Sequence, residues 1–151
     1  KKIKRAMLEQ FKRLYDEQGV RRYYVGGALG VDMWAGELIL RLKERPGYGD
    51  IKLVVVLPFE GHDAKWDERS KRRMDFLLRM CSDCIVVGKE DCRESYIKRN
   101  CYMVDHADYL VAVYDNKRNL RSGTMQTVRY AQNKGITISF VNPDTATVTT
   151  N

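Results

Sequence analysis

The chain has 151 residues, 44% hydrophobic and 31% charged, and its 27 Lys and Arg against 20 Asp and Glu give a net charge of +7. That length suits one domain with a core of its own, and the apolar content and absence of a heptad repeat exclude collagen, coiled coil and disorder. The longest apolar run, Leu53 to Phe59, is far short of the roughly 20 residues a spanning helix needs, so no membrane partner is expected.

Residues 1–143 read as a single domain and 144–151 as a polar, Thr-rich tail with no core pattern. Met7, Phe11, Leu14 and Tyr15 share one face of a helix, and Gly19 is placed to stop it. Tyr23-Tyr24-Val25 is a short strand broken by Gly26-Gly27-Ala28-Leu29-Gly30. Met33, Trp34, Leu38, Ile39 and Leu42 mark a second helix, ended by Pro46 and Gly47. Ile51 to Leu57 is a near-continuous Val/Leu run, the signature of a strand covered on both faces. A charged helix follows over 66–80, then a strand at Ile85-Val86-Val87. Ser95 is positioned to cap a helix over 96–106. Tyr109 to Tyr114 is the fourth strand, Ser122 caps a helix over 124–134 that Gly135 stops, and Ile136 to Val141 is the fifth.

Strand and helix alternate five times, which predicts an α/β fold, a mostly parallel sheet with helices on both faces. In such sheets ligands sit outside the carboxyl ends of the strands. Two turns there stand out. Gly26-Gly27-Ala28-Leu29-Gly30-Val31-Asp32 runs from a strand into a helix, where glycines admit a close ligand and free N–H groups favour phosphate. It is neither a GxGxxG dinucleotide fingerprint nor a Walker A loop. Asp32 reads either as a cap on its helix or as a ribose-binding group. Arg121-Ser122-Gly123-Thr124 opens the fifth helix and reads either as a plain cap or as a second anion site.

Positive charge gathers on residues 1–24, with eight Lys and Arg and three acids, and on 115–134, with five and one. Such patches attract phosphate or nucleic acid, or are simply solvated helix faces. Cys81, Cys84, Cys92 and Cys101 do not have a standard zinc spacing, and no metal site is expected. Reduced thiols and a cytoplasmic setting fit a core of this size. His62 and His106 lack metal-spaced partners, and no nucleophilic triad can be assembled.

The first turn, extended through Met33-Trp34-Ala35-Gly36-Glu37, resembles the glycine motif of the YpsA-like branch of the SLOG superfamily. That superfamily also contains the DNA-processing protein DprA and the LOG phosphoribohydrolases. Leu57-Pro58-Phe59-Glu60 followed by Trp66, Tyr96 with Arg99-Asn100, Met103-Val104-Asp105, Ala112 to Asp115, and Ser122-Gly123-Thr124 with Tyr130-Ala131 and Gly135 match in order over about residues 20–143. The resemblance implies a three-layer Rossmann-like sandwich that binds a nucleotide or an ADP-ribose-like derivative, in a sensor or regulatory protein of bacterial type.

Carried onto matching positions, Gly26, Gly27, Ala28, Gly30, Asp32, Ser122, Gly123 and Thr124 would line the phosphate and ribose side. Phe59, Trp66 and Tyr96 are candidates to pack on a base, the first two with a competing core role. Arg99, alternatively a surface ion-pair residue, would offer a planar fork to phosphate, with Asn100 beside it. Members usually begin with a strand running into a Thr-Gly-His-Arg-like loop, whereas this chain starts at the helix expected after it, so the sheet is expected to lack a strand and the site a wall.

The LOG enzymes carry a Glu three positions past the Thr of their second motif. Thr127 stands there in this chain, so catalysis at that loop is not implied. Asp32 and Glu37 remain the candidate acids for the alternative of a nucleotide N-glycosidic hydrolase. Single-stranded DNA binding in the DprA manner, through the basic stretches, is the other alternative. A homodimer is compatible with such a fold.

Overall fold

A computed structural model of the chain describes residues 1–115 and 123–151. The described residues form five helices and six strands, alternating up to β5: α1 Lys2–Gln18, β1 Arg22–Val25, α2 Val31–Lys43, β2 Lys52–Leu57, α3 Glu68–Met80, β3 Asp83–Val86, α4 Arg93–Asp105, β4 Tyr109–Val113, α5 Gly123–Lys134, β5 Thr137–Val141 and β6 Val148–Thr150. The architecture is α/β, in keeping with a Rossmann-like sandwich.

The single sheet expected from the alternation is present as two sheets of three strands, ordered β1-β2-β3 and β4-β5-β6. The first is entirely parallel, with Tyr24 opposite Val54 and Val56 opposite Ile85. In the second, β4 and β5 are parallel and β6 runs antiparallel to β5. β6 gives residues 144–151, expected as a polar tail without a core pattern, a short and largely exposed edge strand. Asn151 holds it in place, its side-chain oxygen accepting from the Ile138 N–H at 2.8 Å. Period-2 patterning is hard to see in a three-residue edge strand made of Val and Thr.

β2 is buried along all of its length after Lys52, and it centres a core that includes Met33, Ile39, Leu42, Leu53, Val55, Met74 and Leu77. A smaller cluster of Val104, Ala112, Val128, Ala131, Ile138 and Phe140 supports the second sheet. Val111 and Val113 of β4 pack against the first core and join the two.

α1 bridges both sheets. Its Tyr15 hydroxyl donates to the Gly47 carbonyl at 2.9 Å on the first side. On the other side Arg13 reaches Ser139 of β5 at 3.4 Å, and Gln18 accepts from the Tyr109 hydroxyl at 2.9 Å. Gly19 ends α1 in the left-handed region, at φ 74°.

Among the described residues β1 and β4 are not hydrogen-bonded to each other, and neither edge has a strand partner in the space between the sheets. Lys52 N–H donates to the Arg21 carbonyl, so Arg21, Tyr23 and Val25 turn their backbone groups to β2, while Arg22 and Tyr24 turn theirs away. By the same alternation Tyr109, Val111 and Val113 of β4 face away from β5.

Two helix starts differ from expectation. α4 opens at Arg93 after Cys92, not after Ser95. Ser95 lies within the first turn, buried, its hydroxyl donating to the Glu90 carbonyl at 2.8 Å. It pins the loop before the helix rather than capping the helix. α3 begins at Glu68 because the Asp67 carboxylate accepts from the Ser70 N–H at 2.7 Å, a side-chain cap. Ser122 and Arg121 lie outside the described residues.

Candidate functional site

The space between the sheets is a cleft of about 790 Å³. β1 and β4 form its walls, and Met7, Phe11 and Leu14 of α1 contribute its apolar side. At the carboxyl end of β1 it opens among Gly26, Ala28, Asp32, Arg99, Asn100 and Thr124. This is where an α/β sheet of this kind places ligands.

Close packing dictates the first turn. A Cβ on Gly26 would lie 2.6 Å from the Asp32 carboxylate and 3.0 Å from the Arg99 guanidinium. Gly27 has φ +68°, and a Cβ there would meet Leu57 at 2.6 Å. Only glycine satisfies both positions. The Gly27 carbonyl turns away from the cleft and accepts from His62 Nε2–H at 2.8 Å. His62 in turn meets the edge of Trp66, the ring centroids 5.1 Å apart.

α2 starts after Gly30 with no side-chain cap. Its first N–H groups therefore lack an intrahelical acceptor and carry the positive end of the helix dipole. Asp32 does not cap this helix. Its carboxylate instead reaches back to accept from the Ala28 N–H at 3.4 Å, bracing the turn.

Arg99 sits opposite this turn. It is buried rather than at a surface, 7% exposed, and it makes no ion pair among the described residues. One Nη1–H donates to the Gly26 carbonyl, and Nε–H donates to Asn100 Oδ1 at 2.8 Å. Burial lowers its basicity and the nearby Asp32 charge raises it, the net shift being downward. Burial likewise pushes the Asp32 carboxyl above its usual range, against the Arg99 charge and the Ala28 and Gly26 N–H groups that pull it down. A buried cation, a desolvated carboxyl and uncapped helix N–H groups thus meet at one cleft mouth, a set suited to receiving an anion beside a polar hydroxyl-bearing group.

The chain matches the family model YpsA, described as the YspA SLOG family, over residues 1–146. It belongs to this family. It is 25% identical over 118 residues to a UPF0398 protein of Staphylococcus epidermidis, covering 77% of this chain and 61% of that protein. Against a UPF0398 protein of Bacillus cereus the identity is 29% over 118 residues, covering 77% and 62%. A second Bacillus cereus UPF0398 protein is 30% identical over 104 residues, covering 68% and 55%. The matched stretch therefore spans less than two thirds of the length of these bacterial relatives.

In this SLOG family member the structure gathers part of the residue set expected from sequence. Gly26, Ala28, Asp32, Arg99, Asn100 and Thr124 share the cleft mouth. Gly30 is exposed beside it, and Gly27 faces Leu57 and His62. Phe59 is buried and meets the exposed Tyr96 edge to face, with centroids 5.8 Å apart. The Tyr96 ring lies 5.7 Å from the Arg99 guanidinium. Trp66 packs against the first core instead of the cleft. Gly123 is the first residue of α5, and Ser122 falls outside the described residues.

Glu37 is occupied elsewhere. It takes two bonds from Arg73 of α3, at 3.0 and 2.5 Å, and does not line the cleft. Two residues that sequence reasoning passed over complete the picture: His62, which holds the Gly27 carbonyl, and Gln126 of α5, which accepts from Asn100 at 3.1 Å. A search for metal-ligand spacing does not find residues that act through a single backbone carbonyl or amide.

Among the described residues no group of three His, Cys, Asp or Glu is arranged to hold a metal, and no helix is long and apolar enough to cross a membrane. All four cysteines are free thiols.

Proposed function

We propose that the cleft mouth binds a nucleotide or nucleotide derivative of the ADP-ribose type, and that the protein acts as a sensor or regulatory module for it. What carries the reading is the Gly26 turn: it brings backbone, Arg99 and the uncapped start of α2 together at the carboxyl end of β1. Phosphate takes the N–H groups and the Arg99 fork, and ribose takes Asp32. Tyr96, half-exposed and backed by Phe59, offers a ring face for the base.

The test is a thermal-shift and calorimetric screen of AMP, ADP, ATP, NAD, ADP-ribose, cyclic nucleotides and a short single-stranded oligonucleotide, each at low and moderate salt. A ligand at 100 times its Kd adds about 2.7 kcal/mol and raises the midpoint by several degrees in a domain of this size. The expected result is a shift with one nucleotide that survives salt. A shift with the oligonucleotide alone, lost in salt, replaces the reading with nucleic-acid binding. Release of free base on prolonged incubation turns it into hydrolysis, with Asp32 as the acid. No shift with any member of the panel overturns it.

A further inference from the structure

The glycine turn carries a tie on the side away from the cleft. His62 Nε2 lies 2.8 Å from the Gly27 carbonyl oxygen. A carbonyl only accepts, so Nε2 carries the hydrogen and donates it. No peptide bond among the described residues is cis, so the C=O and N–H of the 27–28 peptide point in opposite directions. Drawing the Gly27 carbonyl toward His62 therefore aims the Ala28 N–H the other way. It meets the Asp32 carboxylate at 3.4 Å, and Ala28 and Asp32 both line the cleft mouth.

The donor is itself held. His62 sits on the loop between β2 and α3, which folds into two successive turns: Ala64 N–H donates to the Gly61 carbonyl at 3.1 Å and Trp66 N–H to the Asp63 carbonyl at 3.0 Å. Trp66 packs on the first core and meets the imidazole edge to face, with centroids 5.1 Å apart. A ring anchored in the core thus places the imidazole, and the imidazole places one peptide plane.

That plane needs the hold. Glycine at position 27 leaves ψ free, so the 27–28 peptide can rotate. On the cleft side the hydrogen bond that resists rotation is the long one to Asp32. Rotation swings the carbonyl oxygen, with its partial negative charge, toward the place where Arg99 and the uncapped N–H groups of α2 favour an anion. A full reversal would push Ala28 toward positive φ, so partial rotation is the expected form. From this we infer that His62 is a positioning residue that selects for a charged ligand: by holding the Gly27 carbonyl out of the cleft it keeps the mouth a surface of donors, and the site prefers a phosphate-bearing nucleotide to the matching neutral nucleoside. This rests on the nucleotide reading above.

The experiment compares the whole chain with His62→Phe, which keeps a ring against Trp66 and removes the donor, and with His62→Gln, whose amide N–H replaces the imidazole donor. Affinities for AMP, ADP-ribose and adenosine are measured by calorimetry; adenosine has the base and ribose of AMP without the phosphate. Loss of one such hydrogen bond is of a size to change affinity about fivefold. His62→Phe is expected to weaken AMP and ADP-ribose by about that factor and adenosine by less than about twofold. His62→Gln is expected to recover the binding of both phosphate-bearing ligands. His62→Ala serves as the donorless variant if His62→Phe fails to fold. A crystal structure of the donorless variant reads the same device without any ligand, and its 27–28 peptide plane is expected to be rotated from the wild-type orientation.

Equal weakening of all three ligands, or no change in any, overturns the assignment, since a merely structural role moves charged and neutral ligands together. Failure of His62→Gln to recover phosphate binding does the same. If the wild type binds none of the three, the nucleotide reading falls. In that case, or where adenosine binds too weakly to compare, the peptide decides: a rotated plane in the donorless variant upholds the positioning role, and an unrotated one overturns it.

Discussion

The two halves of the molecule are built from the same αβ grammar but are not equally finished. In the first sheet β2 is enclosed on both faces, and its core draws on α1, α2 and α3 together. In the second, β5 is likewise buried after Thr137, but β4 buries only Ala112, and the six-residue cluster around Ile138 is covered chiefly by α4 and α5. The first half thus holds the larger hydrophobic core, and the second leans on it through Val111 and Val113 and through the polar ties from α1. The candidate site lies on the seam between the two sheets, lined from both halves.

The largest test of this asymmetry is a matched pair of truncations. Leu77 and Ile138 are both fully buried and of equal carbon count. Leu77→Ala is expected to cost about 4 kcal/mol, toward the upper part of the range for such cavities, because Gly36 and the surrounding core are held fast. Ile138→Ala is expected to cost about 2–3 kcal/mol, because its smaller cluster can collapse toward the cleft. Urea unfolding measures both, and equal losses would break the comparison.

Next in size is Gly26→Ala, which forces a methyl against Asp32 and Arg99. A loss of about 1–3 kcal/mol is expected, typical of overpacking. The same denaturation series measures it, and a smaller loss would mean that the seam, unlike the first core, yields.

Asp32→Asn sharpens the same point through pH. A carboxyl whose folded value is raised contributes stability in full below its unfolded value, near 3.9, and loses that contribution as pH rises through the folded value. The melting temperature of Asp32→Asn is therefore expected to overtake that of the wild type progressively as pH rises above the unfolded carboxyl value. Parallel profiles for the two proteins would mean that the charge carries no such penalty. The smallest effect belongs to the outer face of the second half. Lys134→Ala removes an exposed contact to Asp105 at 3.4 Å and is expected to leave the midpoint unchanged in a thermal melt.

Much of the finished half could be read from the chain alone. The run Ile51 to Leu57 announces a doubly covered strand, and Gly19 and Gly135 stop their helices with positive φ. Gly26, Asp32 and Arg99 were legible as a group because their types and order match a family pattern. The split into two sheets was not legible, because strand pairing is decided by which edges meet in space and not by any local period. Ser95 misled because a hydroxyl before a helical pattern reads as a cap wherever it falls, and only tertiary packing shows it bonding backward to Glu90. Glu37 carried the right chemistry on the wrong face, and Arg73, far away in sequence, is what claims it. Gln126 looked like an ordinary helix residue because its bond to Asn100 joins two helices that no local pattern links.

The backbone groups at Arg22, Tyr24, Tyr109, Val111 and Val113, which have no strand partner among the described residues, also govern how the protein behaves in company. An ordinary sheet border offers an intruding strand one ladder of bonds; here two borders face each other, and an intruder gains a ladder on each side. Crowded solutions of this chain should therefore drift toward strand-mediated clusters that added salt does not disperse, since backbone pairing rather than charge holds them.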